Sequence, residues 1–249
     1  MNEPEIALTG GNATASVVRV GDTVRKPRTH ATASVERFVA HLAAAGVEVP
    51  RLFPPDDAGR QVIEFVPGTM ADALSPLEPD GLRRAGGMIR TIHDASAGYR
   101  DSAATWQNLI PAPGPADLVC HNDLTPWNLV TGDRWVFIDW DGASPSTAVW
   151  DLAYSAQSFA LLSPGEDPPV AAARLRAFLD GYGADAALRA AVIDTLAPRA
   201  AAMHAMLRRA HEAGDQPWGS MFLDGHGAYW SGVADHAARH IALWHRVAG

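Results

Sequence analysis

His121-Asn122-Asp123-Leu124-Thr125-Pro126-Trp127-Asn128, with Asp139 eleven positions further on in Phe137-Ile138-Asp139-Trp140-Asp141, has the residue types and spacing of a phosphoryl-transfer site. Such chemistry needs one carboxylate to meet an incoming hydroxyl. It also needs an amide and a second carboxylate to grip magnesium on the phosphates of a nucleotide. Asp123 is the candidate base, taking the hydroxyl proton and orienting the oxygen for in-line attack. Asn128 and Asp139 are the candidate magnesium ligands, because that hard ion prefers oxygen donors. Each residue has a plainer reading on its own: Asp123 a turn aspartate, Asn128 a loop cap, Asp139 a solvated acid at a strand end. Those readings lose ground when all three occur together at this spacing.

One loop cannot assemble the three groups unless a hairpin follows it. Leu129-Val130 and Trp135-Val136-Phe137-Ile138 are apolar, strand-like runs around Thr131-Gly132-Asp133-Arg134, which has the composition of a tight turn. Asn128 and Asp139 are therefore expected side by side.

Further elements must hold this hairpin. Strand-like runs over residues 6–8, 16–20 and 23–26, separated by Gly10-Gly11-Asn12 and Gly21-Asp22, predict a β-meander. Val35, Phe38, Val39, Leu42 and Ala43 recur at helical spacing over 32–45, with Gly46 as the stop. A strand over 61–66 then ends at Pro67-Gly68, where a ring without an N–H cannot extend a ladder. Beyond it the pattern is mostly helical, over 79–97, 149–162, 169–182, 186–213 and 218–247. The expected fold is α+β: an antiparallel-sheet lobe over 1–66, a mainly helical lobe over 67–249, and a nucleotide crevice between them.

The 249 residues suffice for a full core, and 47% hydrophobic content fits a globular chain. A net charge of −8 argues against nucleic acid and against an acidic membrane surface, both of which need a concentrated basic footprint. Cys120 is the single cysteine, so no internal disulfide can form, which fits a reducing cytoplasm. Met1-Asn2-Glu3-Pro4-Glu5 lacks a basic region followed by an apolar core, and no run of eighteen apolar residues occurs. The expectation is a soluble, cytoplasmic protein. No Cys/His group has zinc spacing, and no G-x-S-x-G elbow marks a hydrolase.

The loop, hairpin and Asp139 together resemble the aminoglycoside phosphotransferase and choline kinase superfamily, small-molecule relatives of the protein kinases, and the likeness runs over nearly the whole chain. Asn122 stands where protein kinases usually carry arginine, and Trp140-Asp141 where they carry Phe-Gly. The resemblance implies a two-lobed, protein-kinase-like fold. It also implies ATP- and magnesium-dependent transfer of the γ-phosphoryl group to a hydroxyl of a small molecule: an aminoglycoside, choline or another metabolite.

The same resemblance implies roles for individual residues. Lys26 reaches the α- and β-phosphates, with Val24 on the same strand face covering the adenine. Glu36 in the following helix is the ion-pair partner of Lys26, and Arg25 or Arg28 takes the lysine's place if the register shifts by one. Gly10, Gly11 and Asn12 form a loop over the phosphates, although the full kinase glycine pattern is missing. Glu64 to Val66 present backbone groups to the adenine edge, so that side-chain identity there matters little. His121 braces the catalytic loop, and His93 packs or caps at a helix end. Asp141 either assists the metal or lies in a surface turn before Gly142. Asp151 either caps the next helix or is buried to hold the catalytic loop. Two other functions fit the chain: a catalytically silent nucleotide-binding immunity or regulatory protein, and a protein kinase. The absent D-F-G and A-P-E signatures disfavour the latter.

Overall fold

The computed structural model describes residues 4–8 and 16–249, so the expected phosphate loop at Gly10, Gly11 and Asn12 lies outside the described residues. In chain order, β1 (Ile6–Ala7), β2 (Val18–Val20) and β3 (Thr23–Lys26) lead into α1 (Thr32–Ala44), then β4 (Leu52–Phe53) and β5 (Gln61–Glu64). These strands form one antiparallel sheet in the order β1-β2-β3-β5-β4. The reason is local: Gly21 at φ 56° makes the tight β2–β3 turn, and the alternation of β3 and β5 leaves one face for the cleft. Val35, Phe38, Val39 and Leu42 are buried on one stripe of α1, as their spacing predicts.

Strand β6 (Thr69–Met70) is followed by α2 (Pro79–Ser96), β7 (Leu118–Cys120), β8 (Leu129–Thr131), β9 (Val136–Phe137) and β10 (Ser144–Ser146). The expected hairpin is present: β8 pairs with β9, Leu129 opposite Phe137, and β6 adds to its other edge. Strand β10 pairs with β7, a small sheet the sequence did not suggest because Ser144-Pro145-Ser146 has no strand propensity.

The remainder is helical: α3 (Ala148–Ala160), α4 (Pro168–Tyr182), α5 (Ala186–Ala213), α6 (Trp218–Met221), α7 (Gly227–Arg239) and α8 (Ile241–Ala248). Thr147, Asp167 and Asp185 cap α3, α4 and α5 through their side-chain oxygens. The glycine-interrupted helical stretch expected over 218–247 is interrupted by a π turn at Phe222–His226, where Gly225 takes φ 110°. From Trp150 to Ala160 every residue of α3 is buried, so this helix forms the axis of the lobe. Against it, Phe159 stacks on Phe178 of α4 at 5.4 Å between ring centroids. None of the described helices is long and apolar enough to cross a membrane.

Candidate active site

Strand β7 delivers the chain into 121–128, and the β8–β9 hairpin returns it to Asp139. Ile138 N–H donates to Asn128 O at 2.9 Å, so the residues beside Asp139 are bonded to Asn128 itself. Two residues adopt left-handed backbone here: Asn122 at φ 66° and Asp139 at φ 60°. Only short polar side chains adopt that conformation at low cost, and such residues gather where geometry is over-determined by function. The amide of Asn122 explains its own position. Its Nδ2 is within hydrogen-bonding reach of Gly142 O at 3.1 Å and Ser144 Oγ at 3.0 Å, which ties the loop to the segment after Asp139. An arginine could not make this inward tie.

His121 is fully buried, and its ring links backbone to backbone. Nδ1 accepts from Asp123 N–H at 3.2 Å, which leaves Nε2 protonated to donate to Ile138 O at 3.1 Å. Burial pushes its pKa down, so the ring stays neutral and fixes the distance between the candidate base and the hairpin.

Asp123 receives Asn128 Nδ2 on Oδ2 at 2.8 Å and on its own carbonyl at 3.0 Å. Its pKa is raised to about 7, chiefly by burial and then by the negative charge of Asp139; the Asn128 hydrogen bond and Arg199 oppose the rise. A carboxylate so tuned is half ionised near neutrality, where general bases work best.

Lys26 crosses from the sheet to the hairpin. It is 5% exposed, with Nζ at 2.8 Å from Asp141 Oδ1 and 3.2 Å from Asp139 Oδ1. Burial opposes its charge, but the two carboxylates outweigh that and raise its pKa. Val24 lies on the same strand face, opposite Ile63, while Lys26 lies opposite Gln61; Ile63 and Gln61 both line the cleft with Glu36, Asp139 and Asp141. Lys26 is the only lysine among twenty Lys and Arg side chains, which by itself marks the position in the sequence.

Three expectations need correction. Glu36 is not the partner of Lys26: it takes a two-pronged ion pair from Arg28 at 2.7 and 2.8 Å and a bond from Gln61 Nε2 at 3.3 Å. The planar guanidinium fits a carboxylate in this way, and Lys26 already has two acids across the cleft. Asp151 neither caps α3 nor bonds to the catalytic loop. Thr147 takes the cap, and Asp151, a turn further in, faces the core and meets His93 Nε2 at 3.1 Å, while His93 Nδ1 bonds to Tyr182. Glu64 is also more than backbone. Its buried carboxylate binds Arg134 of the hairpin turn, and its N–H already donates to Arg51 O. Phe65 N–H donates to Asp22 O, which leaves Val66 N–H as the amide of this segment without a partner among the described residues.

The Phosphotransferase enzyme family profile matches residues 96–191, the stretch that holds the 121–128 loop, the hairpin, α3 and α4. Among solved structures, a choline/ethanolamine kinase family protein from Mesorhizobium loti is similar over 98% of this chain and 92% of its own, at 21% identity and a TM-score of 0.66. An amicoumacin kinase in complex with AMP-PNP and Ca2+ is similar over 90% and 86%, at 14% identity and a TM-score of 0.62. The ADP-bound aminoglycoside phosphotransferase APH(2'')-Ib is similar over 95% of each, at 9% identity and a TM-score of 0.56. Comparison with curated proteins gave no match. The chain has the two-lobed fold of the small-molecule phosphotransferases, the group its sequence resembles.

Proposed function

We propose that this protein transfers the γ-phosphoryl group of ATP to a hydroxyl of a small molecule, with the lobe boundary near residues 66–68 and the nucleotide in the cleft below Lys26. The observation that carries the reading is the Asp123 carboxylate, held by Asn128 beside an Asp139–Lys26–Asp141 cluster. Lys26 binds phosphate, and Val66 N–H meets the adenine edge.

The donor chemistry fits magnesium. Asn128 uses its N–H group on Asp123, so its Oδ1 is left as a neutral oxygen donor near the carboxylates of Asp139 and Asp141. Bound there, the ion would neutralise charge on the phosphate oxygens. Asp123 Oδ2 is fixed by Asn128, while Oδ1, with only a long contact from the Thr125 hydroxyl at 3.5 Å, accepts the acceptor's hydroxyl proton. The hydroxyl oxygen then bonds to the γ-phosphorus as the bond to the bridging oxygen breaks, and ADP leaves.

Asp123→Asn tests this directly. ADP formation in the presence of acceptor is expected to fall by about 10²–10⁴-fold with nucleotide affinity largely kept, and wild-type kcat/KM is expected to rise as pH passes up through about 7. Full turnover in the variant refutes the assignment. Stability gives a second readout. A raised carboxylate pKa means the native state binds a proton that the unfolded chain has lost, so stability falls between about pH 4 and pH 7. The variant is thus expected to gain melting temperature at pH 8 and none at pH 4.

A further inference from the structure

Arg199, on α5, is 3% exposed, yet its Nε and Nη1 are buried without a hydrogen-bond partner among the described residues. Its guanidinium lies 4.2 Å over the ring of Tyr154 and 5.5 Å from that of Trp150. Tyr154 in turn packs on Trp127 of the catalytic loop at 6.3 Å, and its hydroxyl stands beside Asp123. Buried cations are normally paired, because desolvation costs several kcal/mol that aromatic faces return only in part. The carboxylates of Asp123 and Asp151 act on this guanidinium through space but do not bond to it. The charge therefore stands behind Tyr154, close enough to act on the candidate base, with donors to spare.

We propose that Arg199 receives an oxyanion carried by the acceptor, so that the acceptor is an alcohol bearing a carboxylate or phosphate rather than a cationic amine. A cationic acceptor beside this guanidinium would meet like-charge repulsion. The inference rests on the phosphotransferase reading, since it assigns the substrate class of that same site.

The test uses the whole chain with AMP-PNP and magnesium, and measures thermal shifts with glycerate, malate, glycerol 3-phosphate, glycerol, choline and kanamycin. An anionic alcohol is expected to raise the melting temperature while glycerol and the two cations do not. Comparing the hydroxy acids with glycerol 3-phosphate separates carboxylate from phosphate. Arg199→Met should fold at least as stably as wild type, since it removes an unpaired buried charge, and should lose that shift. With ATP, KM for the responsive acceptor should rise about 10²-fold at constant KM for ATP, and Arg199→Lys should recover part of the loss.

Four results overturn the proposal: a larger shift with choline or kanamycin, no shift with any anionic alcohol, a shift retained in Arg199→Met, or an effect confined to KM for ATP, which would assign the guanidinium to the nucleotide. A lowered melting temperature of unliganded Arg199→Met would mark the residue as structural and also overturn it. Failure to bind or consume nucleotide sinks the kinase reading instead. The anion site is then still decided by thermal shifts without nucleotide.

Discussion

A protein that meets its need for positive charge with arginine at every other basic position uses lysine once, at position 26. The geometry gives a reason. A compact ammonium with three rotatable donors can stand between two carboxylates, 3.2 and 2.8 Å away, where a rigid guanidinium fork would favour one of them. Buried and held by Asp139 and Asp141, it also keeps those acids from repelling each other. An ATP acyl phosphate that acylates amines near the phosphates is expected to modify the side chain of Lys26, and excess ATP with magnesium to protect it. Peptide mapping by mass spectrometry checks this; protection absent, or an unmodified Lys26 with label elsewhere, contradicts the placement. Lys26 was legible in the sequence because strand alternation sets its face. Its partners were not, since Arg28 and Lys26 stand two positions apart on either side of the strand's end, and only the tertiary path decides which one reaches Glu36. Asn122 was noted as a departure from arginine, but its tie to Gly142 and Ser144 depends on a left-handed backbone that the sequence pattern does not display.

At the scale of elements, helix α2 can only lie against α4 because each presents a glycine at the crossing. A Cβ on Gly86 would meet Phe178 O and Tyr182 N, and one on Gly181 would meet the backbone of Arg83. This close approach also brings His93 edge-on against Tyr182, bonded to its hydroxyl, and through His93 it reaches Asp151 of α3. Gly86→Ala is expected to destabilise by about 1–3 kcal/mol even though alanine favours the helix, because rigid backbone on both sides prevents relief of the overlap. A urea midpoint that rises in this variant would show that the helices separate freely. The sequence announced both helices through their periodicity, and Ala186–Ala213 even across Pro198. The crossing itself was not announced: a glycine inside a helical pattern reads as a weakness until a neighbouring backbone is seen against it.

Across the whole molecule, charged ties join the sheet lobe to the helical lobe alongside an apolar seam in which Phe38 of α1 packs on Tyr99, Trp106 and Trp140. Lys26 reaches Asp139 and Asp141, Arg37 reaches Asp101 at 2.7 Å, and Arg134 in the hairpin turn reaches both Glu48 and Glu64. The Arg134 tie supports the site from a distance, because the hairpin carrying it holds Asn128 and Asp139 at its other end. Burial pushes the Glu64 carboxyl up, but the bond from Arg134 prevails and holds its pKa below the usual value. Its stabilisation is therefore present above the unfolded pKa near 4.5 and is lost as pH falls through the lower folded value. Arg134→Ala leaves Glu64 to Arg51, whose backbone N–H donates at 3.0 Å while its guanidinium is 3.4 Å away and mostly exposed. Arg134 is itself more than a third exposed, so solvent screening holds the expected cost to about 1 kcal/mol. Chemical denaturation across a pH series separates this from simple loss of packing: the gap between wild type and variant should be widest near pH 7 and close as pH falls through the lowered Glu64 pKa, where the carboxyl is protonated in both. A gap that stays constant with pH would instead assign the effect to the arginine's aliphatic stem, and the hairpin would then be held to the sheet by contact rather than by charge.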